Sequence, residues 1–272
     1  MASTLADVLA VTEDLWPAAG AEAWDASGLV SGDGATPVEH IHLVVDAVLD
    51  TIDEAIAAGA NLVIAHHPLL LRGVTMVAED RYKGAVIARL IRANCALLAA
   101  HTNADVVETG TSATLAGALG LTGARPLVPA TIDTRGIGRV GRLPAPTTVG
   151  RLARELATIL PPTAGGIRVS GDYDAVVSTV ALCAGAGDAY LAEPAVLAAD
   201  VYITSDLRHH PASEFRENAR VSGGPALIDV SHWASEWLWL DVAAGQLREA
   251  LPGVTVTVSE LRTDPWDFAV VQ

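Results

Sequence analysis

The sequence has few of the residues that mark secreted, membrane-spanning or nucleic-acid-binding chains. Its 272 residues include only two cysteines and a single lysine, Lys83. Both cysteines, Cys95 and Cys183, lie in apolar runs, which fits reduced buried thiols better than a disulfide framework. The formal net charge of −15 disfavours a nucleic-acid partner, because binding to a phosphate backbone needs clustered Lys and Arg side chains. We therefore expect no nucleic-acid partner.

No long hydrophobic run is present, although hydrophobic residues make up 51% of the chain. The longest uncharged stretch, residues 109–124, is interrupted by Thr, Ser and Gly. It falls short of the roughly 18 to 20 apolar residues that cross a bilayer. The first residues, MASTLADVLAVTEDLW, carry acids where a signal peptide has basic residues. The sequence therefore predicts a cytoplasmic protein with no membrane partner.

Apolar runs alternate with amphipathic segments along most of the chain. In the first half we predict a helix over 5–16, then a strand at 41–45, a helix at 50–58, a strand at 62–65, a helix at 82–93 and a strand at 96–100. In the second half we predict helices at 149–160, 190–198, from 212 and from 233, with strands at 167–170, 176–183, 201–204, 226–230 and 254–258. Such alternation is typical of a mainly parallel sheet covered on both faces.

Proline and glycine accumulate between Arg125 and Pro146, where the periodicity weakens. This pattern predicts a domain boundary near residue 130. After this boundary the alternation of strands and helices repeats, which favours two similar α/β lobes with mainly parallel mixed sheets. We assign residues 1–130 and 231–272 to the first lobe and residues 131–230 to the second.

Histidines follow the predicted strands at their C-terminal ends. Six of the eight histidines occupy such positions: His66, His67, His101, His209, His210 and His232. In open α/β sheets the ligand crevice lies outside the carboxyl ends of the strands. We therefore expect these imidazoles to converge in a cleft there. His40 and His42 lie at the start of a strand and receive no role.

Two carboxylates follow histidines at helical spacing. Asp105 lies four residues after His101, and Glu236 lies four residues after His232. On a helical turn each pair shares one face and can reach one centre. Taken alone, each pair has another explanation. Asp105 could cap a helix, and His232 with Glu236 could form a solvated ion pair. Together with the histidine positions, the two pairs favour metal ligation.

Several longer strings carry a family resemblance. They are, in chain order, WDASGL, NLVIAHHPLLLRGV, AAHTNAD, VYITSDLRHH, LIDVSHWASE and SELRTDPW. Over nearly its whole length the sequence resembles the dinuclear-metal-centre hexameric proteins named GTP cyclohydrolase I type 2, the NIF-three-like family. It is similar to the short form, because 272 residues leave no room for the inserted middle domain of longer members.

The resemblance implies a role for each matching residue. The implied ligands of two divalent ions are His66, His67, Asp105, His232 and Glu236, with Glu236 bridging both ions. His101 and His210 match histidines that line the same cavity and are the implied catalytic residues. The resemblance further implies a homohexamer whose metal sites face an internal cavity. The ions could be Zn, Fe, Mn, Co or Ni, because a mixed nitrogen and oxygen ligand set does not choose among them.

Five protein ligands are too few to saturate two ions, so positions remain for water, as in catalytic sites. A divalent ion makes water a better nucleophile, which predicts a hydrolase. The resemblance names GTP, a purine nucleotide, as substrate, and Arg72 and Arg208 are the nearest candidates for its phosphates. A dinuclear phosphoesterase or amidohydrolase, or a non-enzymatic metal-binding or regulatory hexamer, remain alternatives. The sequence assigns no role to His209.

Overall fold

Helices and strands alternate along the chain in the computed structural model, which describes residues 3–130 and 135–270. The α-helices of these residues are α1 (Leu5–Leu15), α2 (Leu49–Ala57), α3 (Tyr82–Arg92), α4 (Thr102–Asp105), α5 (Thr111–Ala118), α6 (Val149–Ile159), α7 (Pro194–Leu197), α8 (His209–Ser222) and α9 (His232–Ala250). Two 3-10 helices span Ala18–Gly20 and Asp188–Tyr190. Among the described residues, no helix is long and apolar enough to cross a membrane.

The strands over the same residues range from two to eleven residues in length. They are β1 (Gly28–Ser31), β2 (His40–Val44), β3 (Leu62–Ala65), β4 (Ala96–Ala99), β5 (Thr122–Arg125), β6 (Val128–Pro129), β7 (Gly136–Ile137), β8 (Arg139–Thr148), β9 (Arg168–Ser170), β10 (Val176–Ala186), β11 (Val201–Ser205), β12 (Ala226–Val230) and β13 (Thr255–Val258). Both cysteines are buried, and neither is part of a disulfide.

The chain divides into two compact units. The described residues within Met1–Val107 and Leu240–Thr263 form one unit, and those within Glu108–Trp239 and Asp264–Gln272 form the other. The corresponding boundaries predicted from the sequence lie at residues 130 and 231. Residues ahead of 130 fall in the second unit because β5 pairs with β8 of the second sheet.

The first unit contains a five-stranded sheet in the order β1-β4-β3-β2-β13. Strands β13, β2, β3 and β4 are parallel, and β1 runs antiparallel to β4. Every residue of β3 and β4 is buried, as expected for central strands covered on both faces. The carboxyl ends of β3 and β4 therefore lie at the same edge, where His66, His67 and His101 leave the sheet.

The second unit contains a six-stranded sheet in the order β5-β8-β10-β11-β12-β9. Its centre, β10-β11-β12, is parallel, whereas the β5/β8, β8/β10 and β12/β9 pairs are antiparallel. The predicted α/β class with mixed sheets is confirmed. The second sheet is less parallel than the first, because its outer strands are added by antiparallel pairing.

Strand β8 lies in the proline-rich segment for which a domain boundary is predicted. Thr147 and Thr148 pair with β10 at one end of β8, and residues 139–142 pair with it at the other. The register shifts between these two stretches, opposite Val177 and Thr179. Pro144 and Pro146 fall in that irregularity, where proline's missing N–H removes no ladder bond. Two prolines that look like the end of a strand in the sequence can therefore lie within one strand.

Only part of the helix predicted over 190–198 forms. A 3-10 helix occupies Asp188–Tyr190, and α7 spans only Pro194–Leu197. Pro194 lies at the first turn of α7, where its missing N–H and fixed φ are tolerated, so the helix starts there. Pro211 likewise lies in the first turn of α8, which begins at His209 and not at residue 212 as predicted.

Candidate metal centre

His66 and His67 follow β3 directly, and backbone hydrogen bonds hold both residues in place. The N–H of His66 donates to Val44 O at 2.9 Å, and that of His67 donates to Val45 O at 2.8 Å. His66 is fully buried, and a quarter of the His67 side chain is exposed. The ring centroids lie 5.1 Å apart. The strand exit therefore brings two adjacent imidazoles close together.

Each of these rings has its Nδ1 atom tied to an oxygen acceptor. His66 Nδ1 lies 2.9 Å from Ala100 O, and His67 Nδ1 lies 2.7 Å from Asp46 Oδ1. A carbonyl or carboxylate oxygen can only accept, so in the neutral rings Nδ1 carries the proton and Nε2 carries the lone pair. Histidines that ligate metals are commonly oriented by such a bond. Both rings therefore fit Nε2 ligation of a divalent ion.

His101, which follows β4, is oriented in the same way by Asp25. His101 Nδ1 lies 2.8 Å from Asp25 Oδ1. The Asp25 carboxylate also accepts from the Ser27 hydroxyl at 2.7 Å and from the Thr102 N–H at 3.0 Å. Burial raises the pKa of Asp25, but the hydrogen bonds from Thr102, His101 and Ser27 outweigh it and hold the pKa well below its usual value. Asp25 is therefore an ionised partner for His101.

The three imidazoles converge within the first unit. The ring of His101 lies 5.3 Å from that of His66 and 5.6 Å from that of His67, measured between centroids. One ring nitrogen from each residue lies within 4.8 Å of the others, so the three form a group that could hold a metal ion. We call His66, His67 and His101 the histidine cluster.

Asp105 lies beside this cluster at the end of α4. Its Oδ1 is 3.7 Å from His66 Nε2. That distance is too long for a hydrogen bond but fits two ligand atoms that are each about 2.0 to 2.2 Å from one ion. The capping alternative for Asp105 fails, because the N-cap of the next helix, α5, is Gly110 and it has no side-chain cap.

His232 and Glu236 form a second group, in the second unit. His232 Nε2 lies 3.0 Å from Glu236 Oε1 on the first turn of α9, and His232 Nδ1 lies 2.7 Å from Asp206 Oδ2. Burial lowers the pKa of His232, but the two carboxylates raise it well above its usual value. Glu236 is buried, so the pair differs from the solvated ion pair left open by the sequence.

Gly185, at the end of β10, approaches the His232–Glu236 pair closely. Its φ is +73°, and a Cβ atom at this position would lie 2.2 Å from Glu236 Oε1 and 3.3 Å from His232 Nε2. Its N–H donates to Ser235 Oγ at 2.9 Å. Only glycine fits both this backbone conformation and this distance. The turn around Gly185 therefore supports Glu236.

The other sequence candidates lie outside these groups. His209 and His210 are exposed in the first turn of α8, with ring centroids 5.3 Å apart. Arg72 is exposed, and Arg208 is paired with Asp188 at 2.7 Å. Sequence reasoning missed Asp25, Asp46 and Asp206 as histidine partners. For Asp46 and Asp206 the available signal was position, because each lies within two residues of the end of a strand.

The fold and these groups define an α/β protein with clustered imidazole and carboxylate groups that could hold a metal ion. Residues 3–265 match the family described as Duf34/NIF3 (NGG1p interacting factor 3), and the chain belongs to this family. The resemblance noted in the sequence is thereby confirmed.

Known relatives match over nearly the whole chain. A GTP cyclohydrolase 1 type 2 homolog of Streptomyces coelicolor is 46% identical, covering 96% of this chain and 93% of the relative. One of Mycobacterium leprae is 33% identical, covering 98% and 96%. The latter alignment spans 377 positions, so this relative carries residues that the 272-residue chain lacks. The crystal structure of a Bacillus cereus protein related to NIF3 shares the fold, with a TM-score of 0.89, 24% identity and coverage of 99% and 100%.

Proposed function

We propose that the protein is a dinuclear-metal-dependent hydrolase. Two divalent ions would be held by five side chains, namely His66, His67, Asp105, His232 and Glu236. The observation that carries this proposal is the orientation of His66 and His67, whose Nδ1 atoms each face an oxygen acceptor. Such bonds direct Nε2 toward a metal ion and make it a better ligand.

The chain's own residues supply proton transfer and electrostatic support. A divalent ion, when bound, acts as a Lewis acid and lowers the pKa of water from about 15.7 to about 7. His101 accepts and returns a proton at Nε2, because Asp25 holds its Nδ1–H and stabilises the protonated ring. His210, exposed at the start of α8, is the second proposed proton carrier.

The leading substrate is GTP, with water adding to the purine ring on the way to ring opening. Support for this substrate comes from the resemblance and from the printed name of the relatives, GTP cyclohydrolase 1 type 2 homolog. The test is to incubate metal-loaded protein with GTP and to measure formate release. We expect release above the level of a Glu236→Ala variant. Equal release by both proteins would refute GTP as the substrate.

A wider substrate screen separates the reaction class from the substrate. Phosphodiesters and cyclic amides are the compounds to add, because a dinuclear centre can also serve a phosphoesterase or an amidohydrolase. Turnover of one of these compounds that is lost when the metal is chelated would support a hydrolase whose substrate is not GTP. Bound metal that exchanges readily, with no turnover of any compound, would instead favour a metal-handling or regulatory protein.

We also propose that the chain assembles into a cytoplasmic homohexamer, as the resemblance implies. Light scattering on the eluting protein should give a mass about six times the 28.1 kDa of one chain. A mass equal to that of one chain at micromolar concentration would contradict the assembly and leave the metal ligands unaffected.

A further inference from the structure

The chain that leaves β13 continues along the carboxyl edge of the first sheet. β13 is parallel to β2, and the Ser259 N–H that follows it donates to Leu43 O at 2.8 Å. The chain then runs without helix or strand to Thr263. We call residues 259–263, which belong to the first unit, the exit segment. It lies in the string SELRTDPW, which contains none of the proposed metal ligands, so its contacts need an explanation of their own.

Thr263, the last residue of the exit segment, contacts the acid that orients His67. Its hydroxyl donates to Oδ2 of Asp46. The other carboxylate oxygen of Asp46, Oδ1, lies 2.7 Å from Nδ1 of His67. About a quarter of the Asp46 side chain is exposed, so water competes for any oxygen that the protein does not hold. One aspartate therefore joins the exit segment to a proposed metal ligand, with a separate oxygen for each partner.

The hydroxyl contact restricts how the Asp46 carboxylate can turn. A carboxylate held through one oxygen alone can still rotate about its Cβ–Cγ bond, because that torsion has broad energy wells. A donor on the second oxygen removes this freedom and fixes the plane of the carboxylate. The Nδ1–H of His67 then meets Oδ1 in one geometry, and the ring directs its Nε2 atom in one direction. Outer contacts of this kind affect metal affinity through the ligand that they orient.

We propose that Thr263 is a positioning residue for the metal centre and acts on His67 through Asp46. This role rests on the proposed metal-binding function, and it goes beyond anchoring the end of the chain. The hydrogen of the Thr263 hydroxyl goes to Asp46, not to an ion. Its removal should therefore leave all five proposed ligands in place and weaken the binding of the one ion that His67 holds.

Ser259 provides a matched contact in the same segment. Its hydroxyl donates to Oε2 of Glu54, and that oxygen lies 3.0 Å from Nε2 of His42. A hydroxyl, a carboxylate and an imidazole again follow one another. His42, however, lies within β2 and outside the histidine cluster. Loss of the Ser259 hydroxyl should therefore change stability without changing metal affinity.

Calorimetric titration of metal-free protein with Zn²⁺ compares wild type with Thr263→Val, Thr263→Ser and Ser259→Ala. Valine keeps the shape of threonine without its hydroxyl, whereas serine keeps the hydroxyl. We expect Thr263→Val to bind one ion about three- to tenfold more weakly, the size of effect that one hydrogen bond gives. The other two variants should stay within about twofold of wild type. Thermal melts show that each variant is folded, and Thr263→Ala replaces Thr263→Val if valine unfolds the protein.

A double-mutant cycle shows whether the effect passes through Asp46. In an Asp46→Ala background, Thr263→Val should change the Zn²⁺ affinity by less than about twofold, because the carboxylate that Thr263 positions is gone. An equal loss in both backgrounds would overturn the proposal. Wild-type affinity in Thr263→Val would overturn it too, as would an equal loss in Thr263→Ser or Ser259→Ala.

The same titrations separate this role from the proposed function. Wild-type protein that binds no Zn²⁺ would contradict both the metal site and the role of Thr263. Two bound ions with the expected loss in Thr263→Val, but no turnover of any substrate, would contradict the hydrolase and support the positioning role. Two bound ions with no loss in Thr263→Val would overturn the positioning role alone.

Discussion

The Nδ1 atom of His67 lies 2.7 Å from Oδ1 of Asp46, a residue 21 positions earlier in the chain. Asp46 follows β2 and His67 follows β3, and these strands are parallel neighbours. The parallel pairing therefore brings an acid from one strand exit to the imidazole of the next. This contact fixes the ring and places the lone pair of the neutral imidazole on Nε2, as the proposed ligand role requires.

Replacing Asp46 by Asn should weaken metal binding without unfolding the protein. An amide cannot fix the ring or raise its basicity as a carboxylate does, so we expect a loss of about 10- to 100-fold in affinity for one ion. Calorimetric titration of the metal-free variant measures it. Asp53→Asn is the matched control, because Asp53 pairs with Arg89 on the surface. Equal affinities in the two variants would contradict the orienting role of Asp46.

Replacing Asp25 by Asn should destabilise the fold in a pH-dependent way. The carboxylate accepts several hydrogen bonds in a buried position, and we expect a loss of about 2 kcal/mol in the free energy of unfolding at pH 7. The pKa of Asp25 is lower in the folded protein than its usual 3.8. Its contribution is therefore complete above that pH and declines as the pH falls below it.

Urea unfolding of wild type and Asp25→Asn at pH 7 and pH 3 measures this difference. The difference in the free energy of unfolding between wild type and Asp25→Asn should be smaller at pH 3 than at pH 7. A gap that is constant with pH would show that the ionised carboxylate contributes nothing beyond the shape of the side chain.

Replacing His101 by Ala should separate proton transfer from metal binding. If His101 carries protons, turnover should fall by about 10² to 10⁴-fold while the metal content stays at the wild-type level. Metal analysis and steady-state rates on the same sample provide both values. His40→Ala is the control, since His40 hydrogen-bonds Thr257 in the first sheet, outside the cluster. Loss of metal from His101→Ala would instead make His101 a ligand.

Replacing Gly185 by Ala should lower metal affinity through Glu236. The positive φ costs about 1 to 2 kcal/mol in any residue with a Cβ atom, and the added methyl would also displace Glu236 Oε1. Gly223→Ala is a matched control, because Gly223 has a φ of +71° and no atom within 4 Å of an added Cβ. Gly185→Ala should lose more stability than Gly223→Ala in thermal melts because of the added contact, and only Gly185→Ala should bind metal less tightly. Equal affinities would contradict the contact.

The parts of the fold that could be predicted are those whose sequence pattern is local. Strands β3 and β4 are continuous apolar runs, and β12 is apolar except for Asp229. The histidines that follow these strands were identified because they occupy strand ends. Strand β5 could not be found in this way, because all four of its residues are exposed and do not alternate. Strand β8 was hidden by two prolines that occupy a break in its pairing.

The parts of the site that could not be predicted depend on contacts between distant segments. Asp25 reaches Thr102 and His101 across more than 70 residues, and Asp206 reaches His232 across 26. An aspartate in a turn looks the same in the sequence whether it binds solvent or a ring nitrogen. The fold alone decides which imidazole it orients.

The central claim is that this chain binds two divalent ions through the named histidines and carboxylates. The most direct test is elemental analysis of freshly purified wild-type protein beside His66→Ala and Glu236→Ala variants. The account predicts about two ions per wild-type chain and a clear loss of metal from both variants. Wild-type protein without metal that also fails to bind added Zn²⁺, Mn²⁺ or Fe²⁺ would contradict it.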